Sequence, residues 1–473
     1  MRRYKTLLSN TLIFTISEFA SKMLVFFMLP VYTRAMTTAE FGASDLINSS
    51  VGLLIPVFTL SVADGALRFA ISRNADDKQV FSFGIKVILV GFSILLLALP
   101  IFLQFAVIKE NLLLFYLLYI TSAFRNYLNQ FARGVNQINL VGISGVISTL
   151  VVATSNILLL LVFHFGVAGY LMSFVFGHFA SSIVLFIGGG MHKYISTKCC
   201  EKQLKIEILK YSLPLAPNSL SWWLNNTANR YIIAAFCGVS QVGLFAAAAR
   251  IPTILITIQG IFYQAWQLSA ISEYEKDDKA EFFSKIYKCY SLIMVIGCSV
   301  IIAMVRIISG ILFSGEFYSA WHYIPLLLVS VVFGALAGFL GSVYSASKQT
   351  RMLFVTTFIG GIVSVGVNYL LVPFWGPMGA SAASIVAYMV VWLMRLIDSR
   401  KYIRLQISFL RDCFCYVLII VQALVMIYLP SLVGYMGSAV LLCLIIIINR
   451  KTIFDLHCAL KNFRKVERGA MSA

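Results

Sequence analysis

The sequence predicts an all-α integral membrane fold of about fourteen transmembrane helices, with both termini cytoplasmic. Three observations carry this. Of 473 residues, 60% are hydrophobic and only 12% charged, at a mean hydropathy of +0.89; a soluble chain of this length needs far more polar cover. The apolar residues gather into runs long enough to cross a bilayer, which takes roughly 20 residues of helix. Lys and Arg crowd into alternate connections between those runs.

Six runs are read at about 8–30, 46–67, 83–105, 112–131, 141–163 and 168–190, and eight more at about 213–236, 244–270, 286–306, 322–344, 353–374, 378–397, 412–429 and 432–449. Pro30 ends the first, Pro56 lies inside the second, Gly188, Gly189 and Gly190 close the sixth, and Pro214 and Pro217 open the seventh; these prolines are places for a helix to bend. Cations mark the cytoplasmic side. It receives Arg2, Arg3 and Lys5, then Arg68, Arg73 and Lys78, the lysines between Lys193 and Lys210, and the basic tail from Arg450 to Arg468. The opposite side has little beyond Arg34, Lys109 and Arg306. The net charge of +18 is thus a topology signal. Dispersed over short loops, it forms no compact basic domain for nucleic acid. The basic start Met1 to Lys5 is read as the edge of a retained first helix, because the run behind it is too long for a signal peptide and contains Glu18 and Lys22.

Nine Cys and five His show no metal-ligand spacing and no Cys/His nucleophile pair, so neither a metal nor a cofactor is expected, and no residue is assigned to catalysis.

Internal similarity divides the chain. Gln137 and Asn156 are 19 residues apart, as are Gln349 and Asn368, and Gly166 and Gly169 in "FHFGVAGY" answer Gly376 and Gly379 in "PFWGPMGA". Gly42 in "AEFGASDL" likewise answers Gly243 in "QVGLFAAA". A repeat of six spans follows: residues 1–190 as one lobe, 213–398 as a second, 399–449 as an appended hairpin and 450–473 as a basic tail. With six spans each, the lobes are parallel, a plan suited to alternating access. The connection at 191–212 reads equally as an amphipathic helix meeting anionic lipid or as a basic loop.

A charge at the centre of a membrane helix costs about 2.5–3.5 kcal/mol, so it marks a protein interior or a hydrated path. Lys86, Arg125 and Arg306 lie near span ends, where a long side chain can reach the interface. Lys22, Arg230 and Arg250 sit about 12, 9 and 9 Å from the outer ends of their spans. At one level in both lobes, they form the candidate substrate-binding set, with snorkelling to the outer interface as the alternative. Glu18, one turn before Lys22, either neutralises it or couples an ion; Asp64 is the second candidate for coupling, and with Arg68 four residues on it also reads as an interfacial ion pair. Asn218, Trp222, Asn225 and Asn229 follow at spacings of 4, 3 and 4, and Arg250, Thr253, Thr257, Gln264 and Gln267 make a second polar stripe. Such residues either bond helix to helix or wall a cavity. Cations beside amides and Trp suit an anionic, sugar-bearing ligand.

The opening "LSNTLIFTISEFASKMLVFFMLPVYTRAMTTAEFGASDL", with "RGVNQ" after the fourth span and the six-plus-six-plus-two layout, resembles the polysaccharide transporter family, most closely its Wzx-type O-antigen flippases, within the multidrug, oligosaccharidyl-lipid and polysaccharide exporter superfamily. The resemblance implies a MATE-like fold in the bacterial cytoplasmic membrane. It also implies that undecaprenyl-diphosphate-linked repeat units are turned to the outer face, where a polymerase and chain-length machinery act. Lys22, Arg230 and Arg250 match the family's cationic cavity by position and charge. A cation-coupled drug exporter or a peptidoglycan-precursor flippase would share the fold, whereas a glycan polymerase or ligase would need a larger extracytoplasmic loop than the sequence offers.

Overall fold

The computed structural model describes residues 26–72, 76–196, 200–274, 276–347 and 349–454. Among them the chain is helical throughout, without a strand. Among the described residues nine helices are long and apolar enough to cross a membrane, ten if Val239–Ala248 and Thr253–Tyr263 are one broken span. The protein is a multi-pass membrane protein.

Two compact units divide the chain: one runs to Arg250 and takes in Leu312–Phe317, and the other holds Ile251–Ile311 and the chain from Tyr318. Residues 213–250 therefore pack with the first unit, although the repeat groups them with the second half.

In the first unit, α1 (Leu29–Ala35) starts at Pro30 in its first turn, where a missing N–H goes unused. Thr37 then caps α2 (Thr38–Phe58) in a reciprocal box with Glu40. The run expected as one second span is broken. α2 stops after Pro56, Leu60 and Ser61 take φ of 51° and 52°, and α3 (Val62–Ser72) resumes. Further on come α4 (Asp77–Leu97), α5 (Leu112–Gly134), α6 (Ile138–Asn156) and α7 (Gly166–Ile183), the last two each ending in a π-helical stretch. The connection at 191–212 becomes helix α8 (Lys202–Ser212), whose Ile208 is buried on the Gly65 side of α3. The seventh expected span is broken too. α9 (Leu215–Asn226) and α10 (Ala228–Cys237) meet at Thr227, where φ is −131°, and α11 (Val239–Ala248) follows.

α2 and α11 cross at Gly42 and Gly243. A Cβ on Gly42 would strike the carbonyl oxygen of Val239, and one on Gly243 would strike that of Thr38. The two glycines matched in the sequence repeat are thus the two that let these backbones touch. Beside the crossing, Thr38 Oγ1 lies 2.7 Å from Ser240 Oγ and donates to Glu316 Oε2 at 3.2 Å.

The second unit holds α12 (Thr253–Glu273), α13 (Lys279–Leu312), α14 (Ile324–Ala346), α15 (Thr350–Asp398), α16 (Phe409–Tyr428) and α17 (Ser431–Ile448). α15 contains two expected spans, joined at Gly376 with φ 55° and ψ −140°. Its core is aromatic: Trp266 stacks on Phe339 at 4.7 Å, and Tyr287 meets Phe339 edge-on at 5.4 Å. Buried polar groups staple it. Gln422 donates to Ser438 Oγ (2.7 Å) and accepts from Ser299 Oγ (2.7 Å). The Arg395 guanidinium donates to Thr356 Oγ1, Thr357 Oγ1 and the Ala337 carbonyl at 2.8–2.9 Å. Arg306, expected at a span end with its head at the interface, lies two turns before the end of α13. Its head donates to the carbonyls of Met426 and Leu429 and covers the Trp321 ring at 4.3 Å, because those carbonyls close α16 and have no helical donor.

The repeat is written in the backbone as well. Gln137 and Gln349 each precede a helix with nearly the same dihedrals, φ −93° and ψ 47° against φ −97° and ψ 55°. Asn156 and Asn368 are fully buried, and each side-chain amide donates to the carbonyl four residues back, at 2.9 and 2.7 Å. Gly166 and Gly376 share a φ near 50°, at 50° and 55°.

Candidate functional site

Asp45 is the centre of the site in the first unit. It stands on α2 one turn after Gly42, with 7% of its side chain exposed. Arg230 Nε lies 2.5 Å from Oδ2, and Arg250 Nη2 lies 3.6 Å from Oδ1. Arg230 also donates through Nη1 to the Asn226 carbonyl at 2.9 Å, an acceptor freed by the break at Thr227. The break therefore aims Arg230 as well as interrupting the helix. Arg250, just beyond α11, hydrogen-bonds to Tyr170. Around them Tyr32, Phe41 and Tyr170 pack with ring centroids 5.2–6.0 Å apart, and Asn156 donates to the Tyr32 hydroxyl at 3.2 Å.

Two guanidiniums on one carboxylate leave a net charge of +1 on planar forks, a geometry that suits phosphate or carboxylate oxygens. Some side-chain exposure survives, 16% for Arg230 and 24% for Arg250.

The other expected residues divide. Lys22 and Glu18 lie outside the described residues, as does the side chain of Gln264. Asn225 and Asn229 are buried and Trp222 is 47% exposed, and the kink at Thr227 separates Asn229 from the other three. It is Trp223 that turns inward, donating to the Ser49 carbonyl at 3.0 Å and packing on Tyr231. Asn218 is half-buried; Gln267, in the second unit, is exposed and donates to Tyr263 at 3.3 Å. Asp64 makes no ion pair with Arg68 among the described residues. Arg68 is exposed, and Asp64 Oδ1 accepts from Gln130 Nε2 at 3.0 Å, because α5 offers that amide on the inner side of α3.

Sequence reasoning missed Asp45 and Tyr170. Asp45 falls just before the run read at 46–67, and nothing in the sequence shows that it meets both arginines, which lie 185 and 205 residues away. Arg125, expected at the interface, has a buried Nε with no hydrogen-bond partner among the described residues, and Asn129 Oδ1 one turn on is in the same condition. Nearby, Ser122 Oγ lies 2.8 Å from His178 Nδ1. No group of three His, Cys, Asp or Glu able to hold a metal occurs among the described residues.

A family model described as polysaccharide biosynthesis protein matches residues 7–267, more than half of the chain. The chain belongs to this family. No curated protein matches it. Among solved structures it is similar to the lipid II flippase MurJ in an inward closed conformation, at 16% identity and a TM-score of 0.67, over 93% of this chain and 100% of that one. It is also similar to an inward-facing multidrug resistance MATE family transporter, at 13% identity and a TM-score of 0.66, over 82% and 98% of the two chains. A third likeness is to a transporter of the same superfamily from Pyrococcus furiosus, at 14% identity and a TM-score of 0.61, over 84% and 95%. This member of the polysaccharide biosynthesis protein family thus has the fold of the multidrug, oligosaccharidyl-lipid and polysaccharide exporter superfamily.

Proposed function

We propose that this protein is a flippase that carries undecaprenyl-diphosphate-linked oligosaccharide repeat units, of O-antigen or capsular type, across the bacterial cytoplasmic membrane by alternating access. The observation that carries the reading is the convergence of Arg230 and Arg250 on Asp45 beside an aromatic wall. A diphosphate offers those forks the same oxygens that Asp45 does, with more charge, and can draw them away from it. Lys22 adds a third cation from the first span, and the lobes 1–190 and 213–398 move about the site, with 399–449 appended. No covalent chemistry is asked of any residue, and a polymerase with chain-length machinery consumes the product at the outer face.

Family membership supports the glycan, and the likeness to a flippase fold supports the movement of a lipid-linked cargo. The likeness to the lipid II flippase also favours a second reading, in which the cargo is a peptidoglycan precursor.

The test is removal of the protein followed by identification of the lipid-linked glycan that accumulates on the cytoplasmic leaflet. A surface-polysaccharide repeat unit is expected; accumulation of the peptidoglycan precursor selects the second reading, and accumulation of neither overturns both. Arg230→Ala, Arg250→Ala and Lys22→Ala are each expected to impair export at normal protein levels, and full export by all three and by the triple variant would sink the site assignment.

A further inference from the structure

We infer that the break between α2 and α3 is a binding site for a monovalent alkali cation, with Asp64 as its carboxylate. A cavity of about 310 Å³ opens there, lined among others by Gly52, Pro56, Thr59, Ser61, Asp64 and Asn126. The backbone at its edge is held in a form that ordinary residues avoid. Leu60 and Ser61 are consecutive non-glycine residues at φ 51° and 52°, and such strain persists where the surroundings demand that geometry.

Oxygen-bearing groups line the cavity beside apolar Ile55 and Ala63. Pro56 has no N–H for the Gly52 carbonyl one turn back, and both residues line the cavity. Ser61 is 5% exposed, lines the same space, and its hydroxyl has no hydrogen-bond partner among the described residues. Asn126 adds a side-chain amide.

The carboxylate is held for this use. Arg133 Nη1 donates to Gln130 Oε1 at 3.3 Å, which fixes the amide so that its Nε2 donates to Asp64 Oδ1 at 3.0 Å. Asp64 itself lines the cavity. Among the described residues Arg133 is linked to Asp64 through the Gln130 amide, and Arg68 on the same helix as Asp64 is exposed.

Charge balance selects the ion. One carboxylate neutralises one positive charge, whereas a divalent ion would leave a further uncompensated charge beside Arg133. Unwound backbone with one acid is a coordination set that membrane proteins use for such ions. The helix interruption, otherwise a defect in a span, then has a task.

The test uses the full-length protein in detergent, with thermal unfolding followed in sodium chloride and in choline chloride at equal ionic strength. Sodium is expected to raise the midpoint in a saturable way. Asp64→Asn should abolish the shift, and Ser61→Ala should raise the sodium concentration at half-effect several-fold; the second variant decides the matter if the first fails to fold. Equal midpoints in the two salts overturn the site, as does a shift retained in Asp64→Asn. A midpoint that responds to pH through Asp64 but not to sodium also overturns it, since the carboxylate would then hold a proton. None of these readings depends on which glycan is carried.

Discussion

Replacing Asp45 by Asn keeps the shape of the side chain and removes the charge that two arginines share. At an effective dielectric of about 20, unit charges 4 Å apart interact by about 4 kcal/mol, and the two guanidiniums repel each other once the carboxylate between them is gone. Hydration offsets part of this, because Arg230 and Arg250 keep 16% and 24% of their side-chain exposure. The expected loss is therefore about 3–5 kcal/mol, the range found when one partner of a buried pair is removed. The assay is equilibrium unfolding in mixed micelles by SDS titration. The double variant Asp45→Asn/Arg230→Gln should recover a good part of the loss, giving a coupling energy above about 1 kcal/mol. If Asp45→Asn is as stable as the parent, or if the two changes are additive within about 0.5 kcal/mol, the shared-carboxylate account is wrong.

Gly243→Ala places a methyl group against the Thr38 carbonyl, backbone on backbone, so it should destabilise by about 1–3 kcal/mol in the same unfolding assay; a neutral result would mean that α2 and α11 do not touch there. Arg395→Lys keeps the charge but has one nitrogen where three now serve separate acceptors, so a loss of about 2–4 kcal/mol is expected, and a difference below about 0.5 kcal/mol would show that the fork geometry is idle. Gln422→Leu strands the hydroxyls of Ser299 and Ser438, and unfolding should register about 1–3 kcal/mol; the triple change with Ser299→Ala and Ser438→Ala should restore most of it.

The sequence made the membrane fold legible because span length and cation bias are set by the bilayer itself, whatever the helices pack against. The repeat was legible for a related reason. Gly166 and Gly376 need a positive φ, and Gln137 and Gln349 stand at matching helix starts, so local constraints left matching letters. Of the site, Arg230 and Arg250 could be found by the cost of burying them, but their partner could not. Asp45 looked like any polar residue near a helix start, and only packing at the Gly42–Gly243 crossing brings it to both arginines. Helical periodicity misled at 218–229, where a 3.6-residue repeat assumes a continuous helix and Thr227 interrupts it. Arg306 misled because its helix runs on to Leu312, past the hydrophobic window that suggested a span end.

Arg395 differs in kind from the arginines of the first unit. Hydroxyls and carbonyls hold it, and the acid one turn on, Asp398, is taken by Lys401 at 2.7 Å. Dipoles orient around a charge without cancelling it. The core of the second unit therefore holds a guanidinium charge surrounded by dipoles, whereas the first unit's two arginines share a carboxylate. An incoming anion would compete with a carboxylate for the arginines of the first unit, but only with neutral hydroxyls and carbonyls for Arg395.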